Sequence, residues 1–405
     1  ENASLSLYEA ERIVENLKSF SIQSIGSKEW HDQRKKVEKL NVVAHTLVAR
    51  NEHDFVTDAF LTFDTLHILI RELITLETWK KKVSVLIEDE IIESSKFSVN
   101  PYFTFYYEAT LVNLLELSLY QSEVLQTENT MDVMIDLIDY CQRNLITLVK
   151  KPKERYEKPS KENLMQRDDK GDWQKKMDTI EFQVLLGTLS IFRYITDAFA
   201  SLSPSSISRI LDVHDMVLTM VYVIENEPWK RRGPDGFYVF DSSNPSVWKK
   251  LSTDEMYRVH QYEAQAWLAM NNLLVDKETT RKYEYNEFRK DTVLKLSKKL
   301  NSMIVNQIPV LADTERYLSQ LTIMTPPAQS ISKMLYIEQV SSIREGLMKL
   351  DFEDVAKDAL KNSFHAKSRQ QQQDELAELA DLFSQLADVA PQVQENNDMQ
   401  TIDLT

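Results

Sequence analysis

Three features of the 405-residue sequence predict an all-α fold of packed antiparallel helices. Apolar residues recur with a 3.6-residue period almost from end to end. Only six glycines are present, far below the usual share of about 7%. Strand patterning is confined to GFYVFDSSNPSVWKKL, where a short β-hairpin is expected within 237–250.

The elements follow in order. SLYEAERIVENLKSF opens on a capping box, Ser6 with Glu9, and places Leu7, Ala10, Val14 and Leu17 on one stripe. SKEWHDQRKKVEKLNVVAHTLV carries Trp30, Val37, Leu40, Ala44 and Leu47 at helical spacing. Further helices are predicted over 52–60, 63–72, 75–92, 101–122 and 129–150. A second series covers 173–200, 203–225, 254–276, 279–301, 310–324, 331–349 and 351–366. In YITDAFASLSPSSISRILDVHD one helix stops and another starts. Ser203 caps the second, and Pro204 stands at its first position, where the missing N–H costs nothing.

Interruptions suggest the domain organisation. An N-terminal helical half, 1–150, is followed by a charged, flexible loop over 151–172 with two prolines and little to bury. A C-terminal helical half, 173–366, continues the same stack, and 367–405 is a Gln-rich, then acidic tail. Within the tail an amphipathic helix is expected over 374–389, with Leu376, Leu379, Phe383 and Leu386 as its stripe. It could bind a partner or dock on its own body. The segment ENEPWKRRGPDGFYVFDSSNPSVWKK breaks the helical pattern but keeps Trp229, Phe237, Tyr238, Phe240 and Trp248. It either folds back on the body or contacts a partner through Lys230, Arg231 and Arg232 beside Trp229.

No fixed-period repeat is present, but EATLVNLLEL at 108–117 and EAQAWLAMNNLLV at 263–275 echo one another around Asn-Leu-Leu. Both resemble the third helix of armadillo units, which with the scarcity of glycine and strands points to an armadillo-like α-solenoid. Val14, Val37, Trp267 and Leu268 are the predicted core positions.

Several functions are disfavoured by composition. A formal charge of -15 has the wrong sign for a chain held on phosphates. The scattered glycines match neither a dinucleotide fingerprint nor a P-loop. One cysteine, Cys141, cannot form an internal disulfide framework or a thiolate zinc cluster, and its apolar neighbours predict a buried thiol. His45 and His67 read as packed, hydrogen-bonded side chains. His31 and Asp32 are adjacent on a helix and point apart. No nucleophile elbow or other catalytic constellation is recognisable. No apolar run reaches the ~18 residues of a membrane span, and no signal-peptide pattern opens the chain. A start at Glu1 rather than Met suggests a trimmed chain.

A set of ordered segments carries a family resemblance. They are SIGSKEWHDQRKKVEKLNVVA, RELITLETWKKKV, YYEATLVNLLEL and LIDYCQRNLITLV, then IEFQVLLGTLSIFRYITD, SLSPSSISRIL, ENEPWKRR, QAWLAMNNLLV and VNQIPVLADTERYLSQLTI, followed by the TPP at Thr325 to Pro327. In this order and spacing they resemble the zinc finger MYND domain-containing protein 10 family of ciliary dynein-arm assembly factors. The family ends in a cysteine- and histidine-rich finger that binds zinc. After LADVAPQ this chain has VQENNDMQTIDLT and no cysteine, so no zinc, and no other cofactor, is expected here. The resemblance implies a non-enzymatic cytoplasmic scaffold or co-chaperone, near centriolar satellites or in the apical cytoplasm of ciliated cells. Its implied partners are axonemal dynein heavy and intermediate chains and a leucine-rich-repeat assembly factor, whose contact is attributed to the finger. A heat-shock chaperone of the ninety-kilodalton class with an immunophilin co-chaperone completes the set. No nucleic acid is expected. The alternatives are an uncharacterised enzyme with a site in a helical groove, or a structural protein of the axoneme.

Overall fold

A computed structural model describes residues 5–96, 98–156, 169–241, 247–325 and 341–363. Helices dominate, with one small antiparallel sheet, so the all-α reading with a short hairpin holds. The chain divides into two units, 1–118 with 349–405, and 119–348.

In the first unit α1 (Leu7–Glu15), α2 (Lys28–Ala49), α3 (Phe55–Phe63), α4 (Leu66–Lys82) and α5 (Glu88–Ser95) lead to α6 (Asn100–Ser118). The sequence of α6, NPYFTFYYEATLVNLLELS, is apolar on almost every face, which suits a helix with neighbours all round. It packs against α2, α3, α4 and α5. Sequence expected a break near 73–74. Instead α4 runs on, with the Thr75 and Thr78 hydroxyls donating to the carbonyls of Arg71 and Ile74, both at 2.8 Å. The break falls later, at the 3₁₀ turn Ser84–Ile87. That turn and a second one, Ile22–Ser24, receive α18 (Phe352–Ser363) through its buried Val355, Ala356 and Ala359.

The second unit holds α7 (Glu128–Asp132), α8 (Met134–Lys150), α9 (Asp169–Asp197), α10 (Pro204–Ser208) and α11 (Met216–Asn226). After the sheet come α12 (Gln261–Val275), α13 (Lys277–Lys282), α14 (Glu287–Leu294), α15 (Ser302–Gln307), α16 (Leu311–Ile323) and α17 (Ser342–Leu347). Their packing has the order of a ladder. Pairs α8–α9, α11–α12 and α14–α16 form rungs, while α8–α11–α14 and α9–α12–α16 form the two rails. Each rung buries its stripe on the next, as in a helical-repeat stack. The central rung carries the second Asn-Leu-Leu helix. There the Thr314 hydroxyl donates to Asn271 at 2.8 Å, and the Asn272 amide donates to the Thr196 hydroxyl at 3.1 Å.

The predicted helix over 203–225 is broken. Ser203 caps α10 as expected, accepting from the Ser206 N–H at 3.1 Å, with Pro204 first in the helix. Residues Arg209–Val213 then widen into a π-type turn, and Asp215 adopts a left-handed backbone, φ 44°, to cap α11. The cause is tertiary. Arg209 and His214 are both drawn to Asp139 on α8, at 2.7 and 2.6 Å.

Strands β1 (Lys230–Gly233), β2 (Gly236–Asp241) and β3 (Val247–Lys250) pair antiparallel in that order. Gly233 and Gly236 flank the tight β1–β2 turn. A Cβ on Gly233 would lie 2.5 Å from the Tyr238 ring, and Gly236 holds φ 141°. Among the described residues no helix is long and apolar enough to cross a membrane.

Candidate functional site

The first unit carries a groove of about 830 Å³ between α1, α2 and the chain that joins them. Local sequence builds both walls. Ser6 accepts from the Glu9 N–H while the Glu9 carboxylate accepts from the Ser6 N–H at 2.9 Å, and Ser27 caps α2. Gln33 fixes their pairing, accepting from the Lys18 N–H at 2.9 Å and donating to the Lys18 carbonyl at 2.8 Å. The end of α1 thus meets the start of α2, while α1 packs against α3. Leu5, Ile13, Leu17 and Phe20 supply the apolar lining. The rim is polarised along α2, with Glu29 and Asp32 at one end and Lys36 and Lys39 at the other. Arg12 and Lys18 add two more exposed cations. An apolar floor with a charged rim is a surface for an amphipathic segment.

Glu9 in the groove is held below the usual carboxylate range by the Ser6 N–H and hydroxyl, whereas the buried groups with shifted titration lie elsewhere in this unit. Glu72 on α4 is buried, which raises its pKa to about 7 against the hydrogen bond that the Tyr107 hydroxyl donates to Oε2 at 3.1 Å. The Gln33 and Trp30 side chains also bear on this carboxylate and pull its pKa in the same direction as Tyr107, and burial outweighs all three. Trp30 packs edge-on against Tyr107 at 5.4 Å, and Arg34 pairs with Glu38 beside them. Burial pushes the Tyr107 hydroxyl well above its ordinary range and lowers His45 to about 4. Glu72, Tyr107 and His45 do not line the groove. His67 bonds as expected, Nδ1 to the Asp64 carbonyl at 2.9 Å, whereas the buried Nε2 of His45 has no partner among the described residues. Sequence offered no sign of Glu72, an acid among apolar residues on a helix whose other acid, Glu77, is also buried and pairs with Lys81.

The aromatic segment of the second unit folds back as the sheet. Trp229 is 1% exposed, so its side chain is a packing group. Lys230 lies over the Phe237 ring at 4.8 Å. Arg231 stacks on Trp248 at 4.1 Å and pairs with Glu154 at 3.0 Å. Arg232 is exposed, with its carbonyl accepting from the Tyr156 N–H at 3.1 Å. Phe182 from α9 meets Phe240 and Trp248 at 5.0 and 5.6 Å. Residues 151–156 dock here too, Tyr156 stacking on Tyr238 at 3.9 Å. Val14 and Val37 are fully buried and Trp267 is 1% exposed, while its neighbour Leu268 is only half-buried because the helix turns it away from the rails. Leu376, Leu379 and Phe383 lie outside the described residues.

Asp139, Arg209 and His214 form a third polar cluster. Burial would raise the Asp139 pKa, but hydrogen bonds from His214 and Arg209, with the Arg209 charge, outweigh it and hold the carboxyl at about 2. Next to it along the chain, Asp215 accepts from the Tyr283 hydroxyl at 2.7 Å and from Arg289 at 2.8 Å, joining α11 to α14. Both clusters hold helices together.

Zinc does not fit the described residues. Cys141 is buried in α8, and no group of three or more His, Cys, Asp or Glu side chains is placed to hold a metal ion among them.

A comparison with curated proteins finds 25% identity over 337 residues to the zinc finger MYND domain-containing protein 10 homolog of Drosophila melanogaster, spanning 83% of this chain and 72% of that protein. No protein-family model matches the chain. No solved structure matches it either.

Proposed function

We propose, from the premise that the chain belongs to the zinc finger MYND domain-containing protein 10 family, that it is a non-enzymatic cytoplasmic scaffold or co-chaperone. It holds axonemal dynein heavy and intermediate chains during preassembly of the dynein arms of motile cilia. The observation that carries this reading is the similarity to the fly homolog over 83% of the chain, which takes in both helical units rather than one module.

The physical mechanism is modest. A helical stack offers several shallow surfaces, and affinity accumulates over a standard interface of about 1,600 Å² without any reacting group. The α1–α2 groove is one such surface, suited to a short amphipathic segment of a client or of the chaperone machinery. A heat-shock chaperone of the ninety-kilodalton class, an immunophilin co-chaperone and a leucine-rich-repeat assembly factor are the proposed partners. The last of these is expected to need the family's zinc finger.

Removal of the protein from multiciliated cells tests the proposal. Axonemal dynein chains should fall in the cytoplasm and be missing from the axoneme, while unrelated cytosolic proteins stay constant. Normal dynein-arm assembly without the protein would rule the reading out.

A further inference from the structure

The α1–α2 groove and the chain's own C-terminal sequence have complementary chemistry. The groove lining carries the exposed cations Arg12, Lys18, Lys36 and Lys39 against the exposed acids Glu9, Glu29 and Asp32, a small positive excess, and apolar Ile13 and Phe20 lie between the walls. Residues Asp374 to Thr405 contain eight acids and no Lys or Arg. At helical spacing, Leu376, Leu379, Phe383 and Leu386 share one face, with Asp374, Glu378 and Asp381 on the other. Such a segment has an apolar stripe for the floor and carboxylates within reach of long lysine side chains at the rim.

Attachment brings the two together. The last described helix, α18, packs on the turn Ile22–Ser24, which begins two residues after Phe20. Between Ser363 and Asp374 lie residues 364–373, a link that at full extension spans about 35 Å. That is roughly twice the length of α18 itself, so the groove is within reach of the acidic segment. A short tether supplies an effective concentration of about 1 mM. An intrinsic Kd of about 0.1 mM would then leave the groove filled about 90% of the time. A free partner or a second copy would need a comparable concentration to compete.

We propose that residues 374–389 occupy the α1–α2 groove as an intramolecular ligand, the apolar stripe on Ile13 and Phe20 and the acids against Arg12, Lys36 and Lys39. Partner segments of the same acidic amphipathic chemistry enter by displacing it. From the proposed function this takes only that the groove receives protein segments; no dynein chain is required.

Zero-length carbodiimide crosslinking of the full chain at micromolar concentration tests it, with peptides identified from the monomer band. Links from Glu375, Glu378 or Asp381 to Lys36 or Lys39 are expected. They should fall at least fivefold in a Leu379→Ala, Phe383→Ala double variant whose melting temperature is unchanged. Three outcomes overturn the proposal: no such links, equal links to lysines of the second unit such as Lys298, or links confined to a dimer band. Any of these leaves the dynein-assembly reading intact, since that is read in cells by dynein abundance.

Discussion

Gln33 grips the peptide of Lys18 from both sides, accepting its N–H at 2.9 Å and donating to its carbonyl at 2.8 Å. One buried amide thereby sets where the chain leaving α1 meets α2, and with it the width of the groove. Gln33→Ala should cost about 1–3 kcal/mol, the range for two hydrogen bonds of which the freed backbone groups can be rehydrated. Urea denaturation measures that cost. Amide exchange at Lys18 should accelerate while exchange in α6 keeps pace only with the global loss of stability.

Glu72 should make stability depend on pH near neutrality. Burial lifts its folded pKa to about 7, above the unfolded value of about 4.3, so the folded state holds the proton longer. The sign is therefore a loss of stability as pH rises from about 4.5 to about 7, by about 3 kcal/mol in all. Glu72→Gln keeps the shape and removes the charge, and should flatten this part of a stability–pH profile. An unchanged slope would place the proton elsewhere.

Asp139 acts in the opposite sense. Held at about 2 in the folded state and near 3.9 when unfolded, its contribution is complete above about pH 4 and lost as pH falls towards 2. Asp139→Asn leaves Arg209 without its carboxylate in a site where both side chains are about nine-tenths buried, 12% and 8% exposed. The expected cost at pH 7 is about 3 kcal/mol or more, as for other broken buried pairs. Calorimetry should also show that the variant has lost the acid-side step.

Trp267 and Leu268 separate core from surface on one helix. Trp267→Ala should cost about 3–5 kcal/mol, since its ring is 1% exposed between the rails. The half-buried Leu268 should cost clearly less, about 1–2 kcal/mol, in proportion to the smaller area it removes from water. Equal melting temperatures for the two variants would contradict the ladder.

Much of the fold was legible because helix signals are local. The Ser6–Glu9 box, the Ser203–Pro204 start and the stripe through Val14 each depend on residues within two turns. The Asn-Leu-Leu echo also carried meaning, since it marks α6 and α12, a central helix of each unit. Long-range causes were invisible. The π-type turn after Ser208 exists because Asp139, 70 residues earlier, draws Arg209 to it. Trp229 and Arg231, in the segment expected either to fold back or to contact a partner, are held by Phe240 and Trp248, partners that only strand pairing brings close. The groove was hidden for a similar reason: nothing in the sequence says that Gln33 reaches back to Lys18.

The central claim is that this helical body grips immature dynein subunits. Titration of the purified full chain against a fluorescently labelled axonemal dynein intermediate chain addresses it most directly. The account predicts saturable binding that weakens at least tenfold when Lys36→Glu and Lys39→Glu reverse the basic end of the groove, with the melting temperature preserved. An absence of binding, or the same affinity for the charge-reversed protein, would contradict it.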